Sequence, residues 1–493
     1  MNHSLMSLLI SFAPMVVVAL TALVVMINIA IKRSHFWSAT ISVVGLNVAL
    51  AALLLQIFGF WHVDYSDISM FAMDNFAKVN IAVILVASLA CCTLAYGYFH
   101  TLKDNKDELY LLMLIATLGA MLMTSATHLA AFFMSLELLS VPMYGMLAYT
   151  FLRTRSLEAG LKYLIQSAAM SATLLMGMAF IFADVGGLEF SKIISVLFSR
   201  HEMSSLFVLG AVMMLVATAF KLSAAPFHHW VSDVYEGAPA PITAFLASVS
   251  KVAMMALLVR FLLLTASWGL SPVLTVLLVM TVLSILFGNL SAIRQSNLKR
   301  LLAYSSVAHI GYVLSVLFGL GVDGAGIMTV YMAVYALTSI GAFGVITLMS
   351  SPYRQFTKNS SSGEADQMQF YQGLFWRRPA LTAVLTIMLL SMAGIPLTAG
   401  FITKFQVIFA TIQGKQFLLA GMVILGSGLG LYYYLKFLTC LFQKPIANFE
   451  FDADKHWGVQ AGGVMLLIIT TIIVVLGIFP NGLLQIAQFI ARG

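Results

Sequence analysis

Long apolar runs separated by short polar segments recur along the whole chain. They fall near residues 12–31, 38–58, 76–99, 109–125, 128–152, 157–183, 204–225, 241–265, 272–293, 299–320, 325–350, 379–412, 417–442 and 458–488. Each is near or above the roughly 20 residues that a helix needs to cross the hydrocarbon core of a bilayer. The pattern predicts an all-α polytopic membrane protein with about fourteen transmembrane helices in one integral membrane domain, 1–493. Connections are mostly short. The longest are 184–203, 443–457 and 351–378, and the last, with its polar KNSSSGEADQMQ stretch, is the expected flexible loop.

Two runs, the seventh with its continuation and the twelfth, are too long for one straight crossing. Both are interrupted, at LSAAPFHHW (222–230) and at AGIPLTAGFITKF (393–405). A proline inside a membrane helix frees backbone groups, and a broken helix survives at membrane depth only where protein or a water-filled cavity surrounds it. The two breaks are five spans apart. Five is odd, so a copy of spans 4–8 in spans 9–13 must be inverted. The expected organisation is therefore three N-terminal spans (12–99), a first repeat (109–265), an inverted second repeat (272–442) and a C-terminal span (458–488).

Composition removes the soluble alternatives. The chain is 61% hydrophobic and 9% charged, against about 25% charged in ordinary globular proteins. Its mean hydropathy is +0.98. Cys91, Cys92 and Cys440 lie inside apolar runs, without metal-ligand spacing or a disulfide framework. The first run lacks a small-residue cleavage site and reads as a retained helix. The net charge of +7 does not point to nucleic acid, because the cations sit in short loops. With the N-terminus outside, fifteen Lys/Arg fall on inside loops, six on the other side, and five within spans. That bias places both termini away from the cytoplasm.

The five cations within spans are Lys162, Lys221, Lys251, Lys404 and Lys436, and Glu137 sits near the middle of the fifth run. Each such charge costs on the order of 2.5–3.5 kcal/mol on insertion scales, so it marks a functional site more often than a structural one. Glu137 needs a cation, and Lys221, beside the first break, is the expected partner. Lys251 has no interface within reach, and Lys404 follows the second break as Lys221 precedes the first. Lys162 is close enough to the inside loop to snorkel, and Lys436, flanked by tyrosines, reads as an interfacial anchor. His228 and His309 are secondary candidates, since imidazole titrates near neutrality. An amine held out of water gives up its proton more readily than one in water. Two charges about 7 Å apart at an effective dielectric near 20 interact by roughly 2.4 kcal/mol, comparable to the ~3.5 kcal/mol needed to move a proton against ~150 mV. A row of buried lysines is thus suited to electrostatically coupled proton transfer. No Walker loop, dinucleotide fingerprint, CxxC cluster or nucleophile elbow is present, so no cofactor or metal is expected in this chain.

FKLSAAPFHHWVSDVYEGAPAPITAFLASVSK (220–251) resembles the signature of the antiporter-like membrane subunits of respiratory complex I, NADH:quinone oxidoreductase. SLEAGLKYLIQSAA, NLKRLLAYSSVAHIGY and GIPLTAGFITKF resemble that family's sixth, tenth and twelfth helices, and the resemblance covers nearly the whole chain. It implies that Glu137, Lys221, Lys251 and Lys404 fall on proton-channel positions, with Lys162 on a further family lysine. It also implies partners: neighbouring antiporter-like and small membrane subunits in a bacterial inner membrane. NADH, quinone, FMN and iron–sulfur clusters would belong to the whole complex and to other subunits. A cation/proton antiporter subunit or a membrane-bound hydrogenase subunit shares the same fold and lysines. The chain departs from the family pattern at Val231–Ser232, where a proline is common, and at His229, which replaces an apolar residue.

Overall fold

The computed structural model describes residues 2–61, 70–100, 106–199, 204–265, 271–350, 364–445 and 451–491. These residues are helical throughout, with three isolated β-bridges and no β-strand among them. The chain opens with α1 (Asn2–Ser11), α2 (Ala13–Ile31), α3 (His35–Ile57) and α4 (Asn75–His100). It continues through α5 (Glu108–Ser125), α6 (Leu129–Leu147), α7 (Thr154–Val185), the short α8 (Phe190–Ser199) and α9 (Ser205–Leu222). After the first break come α10 (His229–Gly237), α11 (Ala240–Phe245), a π-helical turn (Leu246–Ser250) and α12 (Lys251–Thr265). Then follow α13 (Ser271–Ile293), α14 (Leu298–Leu320), α15 (Ala325–Ser350) and the single turn α16 (Leu374–Arg377). The second broken element is α17 (Pro379–Ala393) with α18 (Ala399–Gln413), and the chain closes with α19 (Phe417–Phe442), α20 (Ala461–Ile478) and α21 (Asn481–Ala491).

Thirteen of the described helical segments are long and apolar enough to cross a membrane, and α17 with α18 fills the remaining predicted run. Helix starts follow from local chemistry. Ser204 and Asn297 accept backbone N–H groups at the heads of α9 and α14, and proline occupies the first turn of α2, α11 and α17. Small residues set how closely helices approach. A Cβ on Gly177 of α7 would lie 2.7 Å from the Gly210 carbonyl of α9. Large apolar side chains such as Leu20, Ile27, Leu425 and Ile468 point outward from α2, α19 and α20, while α11–α12, α14 and α15 are enclosed. The helix that carries Lys251 is therefore at the centre of the bundle.

Three expectations change. The last run is not one span, because Pro480 ends α20 and the strongly amphipathic α21 follows and packs on α15 and α4. The 184–203 connection contains α8. Residues 351–363 of the expected flexible loop lie outside the described residues, but its C-terminal part is firmly held. Glu364 and Asp366 are buried, and Leu298 N–H donates to the Asp366 carbonyl at 2.7 Å.

Candidate functional site

The first break is organised by chain chemistry that leaves few backbone groups idle. α9 ends at Leu222, Ser223 takes a left-handed φ of 60°, and the chain passes through a cis Ala225–Pro226 bond before α10. The indole N–H of Trp230 donates to the Phe220 carbonyl (3.0 Å), and Ala225 N–H donates to Ser284 Oγ (2.8 Å). Lys221 lies in the last turn of α9, where a cation suits the negative end of the helix dipole. Its Nζ donates to Ser140 Oγ on α6 (2.7 Å) and Ser167 Oγ on α7 (2.6 Å) and sits over the Tyr163 ring.

Glu137 lies one turn before Ser140 on α6 and accepts a bond from Ser171 Oγ (2.5 Å), one turn beyond Ser167. Glu137 and Lys221 form no direct ion pair; Lys221 is held by Ser140 and Ser167 and Glu137 by Ser171, hydroxyls about one turn from each other along α6 and α7. The expected pairing is corrected to that extent. A serine hydroxyl can donate and accept at once, so each charge has a hydroxyl that can both take and pass a hydrogen bond.

The line continues across the break. Lys251, directly after the π-helical turn, donates to Ser223 Oγ and to Ser306 Oγ, each at 2.6 Å, and lies near the Tyr235 ring. Ser223 is two residues from Lys221, so one hydroxyl joins the end of α9 to the start of α12. One turn beyond Ser306 on α14, His309 Nδ1 shares a bond with Tyr331 OH (2.7 Å), with Tyr312 and Tyr335 against its ring. Lys404 then donates to the Ala393 carbonyl at the end of α17 (3.0 Å) and sits over the Tyr312 ring (5.2 Å). Lys221, Lys251 and Lys404 are 4%, 1% and 5% exposed, so none of them reaches lipid or water by snorkelling.

Lys162 stands apart. It pairs with Glu158 (2.6 Å) and Asp233 (2.9 Å), on one wall of a polar cavity of about 240 Å³ shared with Arg155, Glu236 and Arg300. Lys436 is exposed on α19, as an anchor would be. His228 is buried against Phe287 and Tyr304 and touches none of the three buried lysines, whereas His229 is exposed. Sequence reasoning missed the serines and a second buried cluster in which Lys299, Arg153 and Tyr98 surround Glu364. The serines had a weak signal: Glu137 to Ser140, and Ser167 to Ser171, keep the three- and four-residue spacing of a single helix face.

Residues 126–430, more than half of the chain, match the family described as NADH:quinone oxidoreductase/Mrp antiporter, TM. The chain is 58% identical over 485 residues to NADH-quinone oxidoreductase subunit N of Psychrobacter arcticus, covering 97% of each chain. It is 50% identical to the protein of the same name from Acinetobacter baumannii, covering 98% of this chain and 95% of that one. Among solved structures, a chain of respiratory complex I from Thermus thermophilus with bound Aureothin superposes with a TM-score of 0.79 at 27% identity, over 95% of this chain and 97% of that one. A chain of the Mrp complex from Dietzia shares the fold alone, with a TM-score of 0.81 at 21% identity over 98% and 97%. With its geometry and its relatives in agreement, this chain belongs to the NADH:quinone oxidoreductase/Mrp antiporter membrane family, in the subunit N branch of NADH-quinone oxidoreductase.

Proposed function

We propose that this chain is a proton-translocating membrane subunit of NADH-quinone oxidoreductase, and that Glu137, Lys221, Lys251 and Lys404 carry the charge, with His309 between the last two. The observation that carries this reading is the series of ionisable groups from α6 to α18, each held by hydroxyls, a carbonyl or a tyrosine ring, with Lys221, Lys251, His309 and Lys404 buried inside the bundle. A proton arriving near Glu137 changes the field at Lys221, and the change passes along the line lysine by lysine. Lys162, in its ion-paired cluster, serves at the mouth of the pathway and not within it. His228 has a smaller part, since it lies beside the break but off the line.

Two inverted repeats, 109–265 and 272–442, each supply a broken helix and its lysine, and the flanking spans close the bundle. The excess of cations on one set of loops supports a bacterial inner-membrane setting with both termini on the periplasmic side. The FMN and iron–sulfur clusters of the complex are assigned to partner subunits. The test is Glu137→Gln in native membrane vesicles. Assembled complex should stay near the wild-type amount while proton uptake per assembled complex falls about tenfold or more, the ~1.4 kcal/mol scale of one lost charge interaction. Unchanged uptake would remove Glu137 from the pathway.

A further inference from the structure

The corner Gly237–Ala238–Pro239–Ala240 joins the broken seventh crossing to the helix that carries Lys251. A helix leaves carbonyls unpaired at its end and N–H groups unpaired at its start. Here the head of α11 has no side-chain cap of its own, and at the tail of α10 the Ala238 carbonyl takes only a long local bond from Thr243 Oγ1 (3.4 Å). Lys299, fully buried in the first turn of α14, supplies the cation: its Nζ donates to the carbonyls of Glu236 (3.1 Å) and Ala238 (2.6 Å). Glu364, from the segment after α15, supplies the anion: its Oε1 accepts the Ala240 N–H at 3.1 Å. The two side chains close on each other, Nζ to Oε2, at 2.5 Å. The signs are those that helix dipoles favour, a cation at the carbonyl end and a carboxylate at the N–H end.

The same carboxylate reaches further. Tyr98 of α4 donates to it, and Arg153, at the head of α7, lies 3.8 Å away. Burial alone would raise the Glu364 carboxyl, but Lys299 and then Arg153 hold it below the ordinary carboxylate range, so it stays charged. At the other end of α12, Arg260 makes a two-pronged pair with Asp74 (2.7 Å for each prong) and donates to the Thr124 carbonyl. The helix holding Lys251 is thus fixed at both ends, with the π-helical turn between them.

We propose that Glu364 and Lys299 are positioning residues for proton transfer: they bracket the α10–α11 corner and so hold Lys251 in register between Ser223 and Ser306. This rests on Lys251 being a transfer site, as proposed above. The test is Glu364→Gln in native membrane vesicles, with Lys251→Arg measured in parallel and rates normalised to assembled complex. Coupled NADH:quinone reduction should lose about ten- to a hundredfold in kcat, the scale on which misplacement of a remote support acts, with KM for quinone unchanged. The double variant Glu364→Gln/Lys299→Met, which removes both charges of the buried pair, is read by the same criterion if the single variant does not assemble. A wild-type kcat per assembled complex in either variant, whatever the yield, overturns the proposal and leaves the pair a fold-stabilising contact. If Lys251→Arg is also at the wild-type rate, the reading of Lys251 fails first. If Lys251→Arg is inactive while the Glu364 variants work normally, only the bracket fails.

Discussion

Lys221 shows at residue scale how little of the line is held by opposite charges. Its ammonium is satisfied by two serine hydroxyls on two helices, and hydrogen bonds to a charged group contribute about 1.5–3 kcal/mol each. Removing both should leave the lysine in place but without its relay. Ser140→Ala/Ser167→Ala is expected to slow coupled proton uptake by about tenfold or more, with each single variant milder, because one hydroxyl remains. Uptake assays on vesicles of matched complex content would check it, and a double variant at wild-type rate would mean the hydroxyls only fill space. Lys221, Lys251 and Lys404 were legible in sequence because a charge inside an apolar run, away from either interface, is too costly to be incidental. The serines were not. A membrane-helix serine usually satisfies itself on the carbonyl four residues back, as Ser42, Ser248 and Ser315 do, and only a weak spacing signal separates those from Ser140 or Ser167.

At the scale of elements, both interruptions were readable from proline and glycine in runs too long to be straight. What each interruption builds was not, because it depends on which side chain returns to the freed backbone. Gly394 makes the point. It takes a φ of 83° at the end of α17, and a Cβ there would lie 2.7 Å from Cδ of Lys404. Gly394→Ala therefore adds backbone strain of about 1–2 kcal/mol and pushes on the lysine whose Nζ is tied to the neighbouring Ala393 carbonyl. Expected outcomes are lower heat resistance of the assembled complex on native gels and a reduced coupled rate before any heating. A variant that only loses heat resistance would show that the Lys404 geometry is not what the glycine protects. Glu364 was hidden for a different reason. A polar segment between spans reads as solvated loop, and only the fold reveals that Lys299, Arg153 and the Ala240 N–H converge on it.

For the whole molecule, the crossings, their approximate limits and the family were all legible, because the bilayer allows few solutions for a long apolar chain. The order Glu137, Lys221, Lys251, His309, Lys404 emerged only once α6, α7, α9, α12, α14 and α18 were packed together. That order makes Lys251 the middle of the line, bonded to the break on one side and to α14 on the other. Its replacement by arginine is the most direct measurement. Arginine keeps the positive charge and can hydrogen-bond, but its pKa stays above about 12, so it cannot release a proton in each cycle. Lys251→Arg should assemble, yet proton uptake and coupled quinone reduction per assembled complex should both fall well below wild type. An arginine variant that pumps at the wild-type rate would contradict proton transfer through Lys251 and leave it a structural cation.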